Sequence, residues 1–186
     1  VDIVIDSTGA YRKREELQMH IDSGAKRVLV SKPPVNDIDR IVIQGINEDQ
    51  IDNSDKIIST TSSTTQVLAL MMKVLDESFE VNRAMMTTVH AYTSDQPLAD
   101  AVRSDLRRSR SAVENIIPNE TWAPDYVSQL MPKFKDKISG IAMNVPVANG
   151  SCVDLTTEMK RIPSVDEANK VFQDASMNEL KGLIRF

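Results

Sequence analysis

The chain has 186 residues, 41% of them hydrophobic and 26% charged, with a formal net charge of −5. This composition fits one globular core, or one domain and part of another, and the acidic balance argues against a nucleic-acid surface or an anionic membrane as the main partner. A single cysteine excludes an intrachain disulfide and a cysteine-rich metal site, and no apolar run reaches the ~18 residues of a spanning helix.

Val1-Asp2-Ile3-Val4-Ile5-Asp6 reads as a buried strand, ended by the small residues Ser7-Thr8-Gly9. Residues 11–23 are helix formers, with Leu17, His20 and Ile21 at helical spacing, and Gly24 is a natural stop. Short strands follow at Arg27–Val30 and Ile41–Ile43, so the opening predicts a parallel strand–helix–strand crossover. A further strand at Ile57–Thr60 runs into a helix over 64–77, where Val67, Leu68, Met71, Met72 and Leu75 make one apolar stripe. A strand is expected over 81–92. Residues 94–125 are polar and lack a sustained period, which predicts a functional or partner-packed loop. Strands at about 138–147 and 151–161 and a helix over Glu167–Leu180 complete the chain. Cys152 is expected to be a small buried apolar residue. The chain opens on a strand and closes on Ile184-Arg185-Phe186, as expected of a piece of a longer protein. No basic-then-apolar leader is visible, and with the lone thiol this predicts a cytoplasmic location.

The chemistry concentrates in two places. The strand before Ser59-Thr60-Thr61-Ser62-Ser63-Thr64-Thr65-Gln66 delivers a hydroxyl cluster to a helix N-terminus, and 24 residues after Gln66 comes His90, within Thr87-Thr88-Val89-His90-Ala91-Tyr92-Thr93. A nucleophile at a helix N-terminus with a ring base supplied by the fold is a common way to build acyl transfer. Read locally, the hydroxyls are a capping cluster and His90 is a satisfied strand histidine.

Several stretches, in order and at suitable spacing, resemble the glyceraldehyde-3-phosphate dehydrogenase family: Val1–Gly9, Gly24–Ser31, Ile57–Thr65, Met86–Thr93, Asp105–Ala112, Asn115–Pro118, Gly140–Pro146 and Val153–Leu155. The resemblance implies an α/β fold. Residues 1–62 would be the C-terminal part of a Rossmann-type parallel sheet, and 63–186 part of an α+β catalytic domain with a mainly antiparallel sheet. It implies a nicotinamide cofactor, with Ser7, Thr8, Gly9, Tyr11 and Ser31 along the wall that remains. The Gly-rich pyrophosphate turn and the acidic residue that reads the ribose would precede residue 1, so NAD and NADP both stay open. It places Ser63 at the nucleophile position and His90 at the base. Ser62, Thr64, Thr93, Thr121 and Arg107 match phosphate-contacting positions, with Arg108 and Arg110 as alternatives to Arg107. A phosphorylated aldehyde and inorganic phosphate would be the substrates. The arginine-rich stretch 103–110 would pack between subunits of a homotetramer.

Four positions depart from the family pattern. Ser63 stands in place of the cysteine, Gln66 in place of an asparagine, Asn144 in place of a phosphate-binding arginine, and Trp122 in place of a glycine. An alcohol is a weaker nucleophile than a thiolate, and an amide offers a phosphate neither charge nor a fork of donors. Weakened or lost dehydrogenase activity is therefore expected. A non-catalytic scaffold homologue and a Ser63/His90 hydrolase are the alternatives. Ser63 itself is open to three origins: an engineered change, natural loss of activity, or a switch of chemistry.

Overall fold

The computed structural model describes all of residues 1–186. It divides into two compact units, Val1–Glu80 with Arg161–Phe186, and Val81–Lys160.

The first unit holds strands β1 (Ile3–Asp6), β2 (Arg27–Val30), β3 (Arg40–Ile41) and β4 (Ile57–Ser59) in one sheet ordered β1-β2-β4-β3, every pairing parallel. Helix α1 (Arg14–Asp22) makes the crossover between β1 and β2, as the opening predicts. Its first turn is tied down by Glu16, whose Oε2 accepts the N–H groups of Arg12 and Lys13, each at 3.0 Å. Its apolar side buries Leu17 against Val28, Val30 and Ile57, with Tyr11, Ile21 and Ile38 packed around them. The expected burial of the opening strand is wrong. β1 is an edge strand, Ile3 and Ile5 are 51% and 71% exposed, and of its residues only Asp6 is buried.

Helix α2 (Ser63–Phe79) begins one residue before and ends two residues after its expected span. It buries Leu68, Ala69, Met72, Val74, Leu75 and Phe79 and stops at Glu80, whose φ of 54° is left-handed. It packs on α4 (Val165–Met177) through a cluster of Val74, Ala175 and Leu180. α4 starts earlier than expected because Ser164 and Glu167 form a reciprocal cap: the Ser164 hydroxyl accepts the Glu167 N–H, and the Glu167 carboxylate accepts the Ser164 N–H.

The second unit is a mixed sheet ordered β6-β7-β5-β8, from β5 (Val81–Ala91), β6 (Ile117–Asn119), β7 (Ile138–Val145) and β8 (Ser151–Met159). The α/β class expected for the chain is present. Two pairings are antiparallel, β6–β7 and β5–β8, and the long central pair β5–β7 is parallel. Helix α3 (Ala123–Leu130) and the edge strand β6 both fall wholly or partly inside 94–125, which is therefore less irregular than expected. Pro118 is tolerated because β6 is an edge. Gly140 lets α3 sit close on β7, since a Cβ there would lie 3.1 Å from Pro124 and from Met86. Cys152 is exposed on β8, correcting the expected burial.

Candidate active site

In the first unit the candidate residues gather at the carboxyl ends of parallel strands, where open α/β sheets bind ligands. Asp6, Val30 and Ser59 are successive partners in register, so Ser7, Ser31 and Thr60 leave the sheet side by side. The turn after β1 is built by Asp6. Its Oδ1 accepts the Thr8 N–H at 3.0 Å and the Thr8 hydroxyl at 2.7 Å, and Gly9 takes a φ of 72°. The Nε2 of His20 lies 3.2 Å from the other carboxylate oxygen, and the Tyr11 ring meets His20 edge-on at 6.1 Å. Burial pushes the Asp6 carboxyl up, but the hydrogen bonds from Thr8 and His20 outweigh it and hold the group below the usual carboxylate range. The expected cofactor-wall residues Ser7, Thr8, Gly9, Tyr11 and Ser31 thus share one edge. Asp6 and His20, which fix the turn, were not singled out from the sequence.

The hydroxyl cluster has a division of labour. Ser59 donates to the Lys32 carbonyl at 2.8 Å and accepts the Thr61 N–H at 2.9 Å. Thr61 adopts a left-handed φ of 61°, which turns the chain into α2. Ser62 is the N-cap, accepting the Thr65 N–H at 3.1 Å and lying 2.8 Å from the Thr65 hydroxyl. Gln66 reaches back to the Thr60 carbonyl at 2.8 Å. Ser63 is left as the first helical residue, exposed, with its hydroxyl in no hydrogen bond, and half-buried Thr64 follows it. The positive end of the helix dipole favours negative charge at this position.

In the second unit His90 is half-buried, one residue from the end of β5. Its Nδ1 lies 2.7 Å from the Ala91 carbonyl oxygen. A carbonyl can only accept, so the neutral ring carries its proton on Nδ1 and presents Nε2 as a base. The orienting group sought among carboxylates is a main-chain oxygen. By register His90 stands between Asn144 on β7 and Ser151 on β8. Thr88, one pleat back on the same face, is buried, and its hydroxyl has no partner.

Thr93 begins a tight turn: its N–H and hydroxyl both reach the Gln96 side chain, and the hydroxyl also donates to Asp95. Arg108 meets the other oxygen of Asp95 at 2.7 Å. Burial raises the Asp95 carboxyl, and Thr93 and Arg108 more than reverse that, so the carboxylate stays charged. Asp95 and Gln96 are the residues that sequence reasoning missed here; a hydroxyl two residues before Asp-Gln, just past a strand, is the turn signal that could have found them. Arg107 lies on a short 3-10 turn, exposed, with no partner for its guanidinium, whereas Arg110 pairs with Asp100 at 3.2 Å. The Thr121 hydroxyl accepts the Ala123 N–H at 3.3 Å, at the start of α3. Beside it the Trp122 indole is 65% exposed, on a cleft of about 650 Å³ that Arg103, Arg108 and Asn119 also line. Ser63 and His90 belong to different compact units. The structure gathers no three His, Cys, Asp or Glu side chains fit to hold a metal ion, and no helix is long and apolar enough to cross a membrane.

Residues 62–186 match the family model for the C-terminal domain of glyceraldehyde 3-phosphate dehydrogenase. Over its whole length the chain is 44% identical to the glyceraldehyde-3-phosphate dehydrogenase of Mycobacterium leprae (strain TN), 44% to that of Geobacillus stearothermophilus and 45% to glyceraldehyde-3-phosphate dehydrogenase 2 of Streptomyces avermitilis. It covers 55% of the first and 56% of each of the other two, so it spans about half the length of the curated relatives it matches. On the extent of this match and on a fold of the expected class, the chain belongs to the glyceraldehyde-3-phosphate dehydrogenase family.

Proposed function

We propose that the chain is the cofactor-edge and catalytic portion of an aldehyde oxidoreductase that uses NAD or NADP, slowed by an alcohol at the nucleophile position. The observation that carries this is the state of two side chains. Ser63 stands unpartnered at the N-terminus of α2, and His90 is held by the Ala91 carbonyl so that Nε2 is the free basic nitrogen. In this reading His90 takes the Ser63 hydroxyl proton as the oxygen adds to the aldehyde carbon and returns it to the former carbonyl oxygen, leaving a neutral hemiacetal on Ser63 and a neutral ring. The cofactor, when bound, accepts hydride from that carbon. Its nicotinamide side is served by Ser7, Thr8, Gly9, Tyr11 and Ser31, whose common edge suits such a group. Ser62, Thr64, Thr93, Thr121 and Arg107 are the anion contacts, and inorganic phosphate is the second substrate. The resulting ester on Ser63 is less activated toward phosphate than a thioester, so the second half-reaction slows as well. Domains 1–62 and 63–186, a homotetramer and a cytoplasmic location complete the reading, and the family match beginning at residue 62 supports the boundary.

A non-catalytic subunit is the second reading, favoured by the alcohol at 63 and by the neutral amide at 144. Ser63→Cys in the protein at its natural length separates them. The enzyme reading expects aldehyde oxidation to rise by about two orders of magnitude or more, on the scale of losing an activated nucleophile. Equal rates in both proteins would refute it. The role of His90 has its own readout in the alkylation of the thiol introduced at position 63. Its pH profile should shift upward in Ser63→Cys/His90→Gln relative to Ser63→Cys, because a thiolate loses its imidazolium partner.

A further inference from the structure

The turn Ser7-Thr8-Gly9 is held from behind by two residues of the first unit. Asp6, at the end of β1, is 4% exposed, and His20 stands in the last turn of α1. One carboxylate oxygen of Asp6 takes both polar groups of Thr8, the N–H at 3.0 Å and the hydroxyl at 2.7 Å. The Thr8 hydroxyl in turn accepts the Ala10 N–H at 3.2 Å. The Thr8 side chain is therefore spent inside the turn. What is left for a ligand is the Gly9 N–H and the Ser7 hydroxyl, neither of them in a hydrogen bond.

A carboxylate gripped at one oxygen can still rotate about its last side-chain bond, a broad torsion. The second oxygen of Asp6 lies 3.2 Å from Nε2 of His20. A carboxylate only accepts, so Nε2 carries a proton and donates it. The imidazole is steadied by the Tyr11 ring, which meets it edge-on at 6.1 Å. With both oxygens engaged the plane of the carboxylate is set, and the Thr8 turn with it. The helix does not depend on this bond. α1 packs through Leu17, and its end is closed by the Ser23 and Gly24 N–H groups on the Met19 and Ile21 carbonyls.

We propose that His20 is a positioning residue for the nicotinamide end of the cofactor, acting through Asp6 on the Ser7-Thr8-Gly9 turn. Thr8 then shapes the turn, and Ser7 and Gly9 meet the ligand. The proposal rests on the cofactor-wall reading above, and the test separates the two. The protein at its natural length is titrated calorimetrically with whichever of NAD and NADP it binds, and with the same molecule lacking nicotinamide, ADP-ribose or its 2′-phosphate.

His20→Leu should weaken binding of the whole cofactor by about three- to tenfold, the scale of one hydrogen bond, and leave the nicotinamide-free fragment within about twofold of the parent. His20→Gln, whose amide N–H can stand near the place of Nε2, should keep the parent's affinity for both to within about twofold. His20→Asn, too short to reach Asp6, should behave like His20→Leu and covers the case that leucine is not accommodated. In Asp6→Ala, which cuts the link, a further His20→Leu should add less than about twofold. Equal weakening of cofactor and fragment by His20→Leu, weakening of neither, a glutamine no better than leucine, or a full further loss in the Asp6→Ala background overturns the proposal while cofactor binding by the parent stands. A parent that binds neither ligand, or binds both alike, overturns the cofactor-wall reading and this proposal together.

Discussion

Replacing Ser62 by alanine should destabilise the protein by about 2–4 kcal/mol, well above the usual surface substitution. Loss of a serine N-cap costs about 1 kcal/mol. The structure adds a second loss, because the Ser62 oxygen lies 2.8 Å from the hydroxyl of Thr65, a residue with no exposed surface. Alanine strands that hydroxyl, and an unpartnered buried hydroxyl costs about 1–3 kcal/mol. The assay is urea unfolding of the protein at its natural length, followed by circular dichroism, with the difference taken from the midpoint shift at a common slope. Ser62→Asp, which can still cap, should stay within about 0.5 kcal/mol of the parent. Ser62→Ala/Thr65→Val should recover about 1 kcal/mol of the alanine loss, because both partners are then gone. A loss under about 0.5 kcal/mol for Ser62→Ala, or no recovery in the double variant, would refute the capping argument. The outcome bears on function, since a hydroxyl can accept both Thr65 contacts and still donate its own proton to an anion beside Ser63.

Two further outcomes follow from local geometry. At Gly45, φ is +84° and an added Cβ would lie 2.9 Å from methyl carbons of Leu180 and Leu183, whereas at Gly24, φ is +102° and nothing lies within 4 Å. Gly24→Ala should therefore cost only the left-handed term of about 1 kcal/mol, and Gly45→Ala a further 1–3 kcal/mol or so of overpacking. Equal losses in chemical denaturation would sink the packing argument. For Asp6, the folded carboxyl titrates below its unfolded value, so its stabilisation is complete above about pH 4 and fades as pH falls toward the lower folded value. Asp6→Asn should flatten the acid limb of the stability profile below about pH 4, and an unchanged limb would show that the Thr8 and His20 contacts do not act on it.

What the sequence disclosed depended on whether a contact is local. α2 announced itself through Leu68, Met72 and Leu75, yet its C-terminus did not, because Glu80 takes a left-handed φ without the glycine that usually marks one. The start of α4 is legible in Ser164-Val165-Asp166-Glu167, a capping sequence that opens the helix at Val165, two residues ahead of the span expected from Glu167. The parallel pairing of β5 with β7 was not legible. Those strands are separated by β6 and α3, and no local pattern says that β5 lies between β7 and β8. Burial misled at β1 and Cys152 for a related reason: which face or edge is covered is decided by the neighbours. At the candidate site, residue types were readable but partners were not. The Ala91 carbonyl that fixes the His90 tautomer belongs to a peptide group that every sequence contains, and the neutralising contact between Asp95 and Arg108 spans thirteen residues.

Trp122 carries a practical consequence. It is the sole indole among these 186 residues, and it stands mostly in water when the chain is folded. Its emission should be red-shifted and readily quenched by acrylamide in the native protein, and should change little as the core melts. Fluorescence melting curves of this chain would thus under-report unfolding. The same ring would be a sensitive optical probe of anything that settles in the cleft beside Arg103.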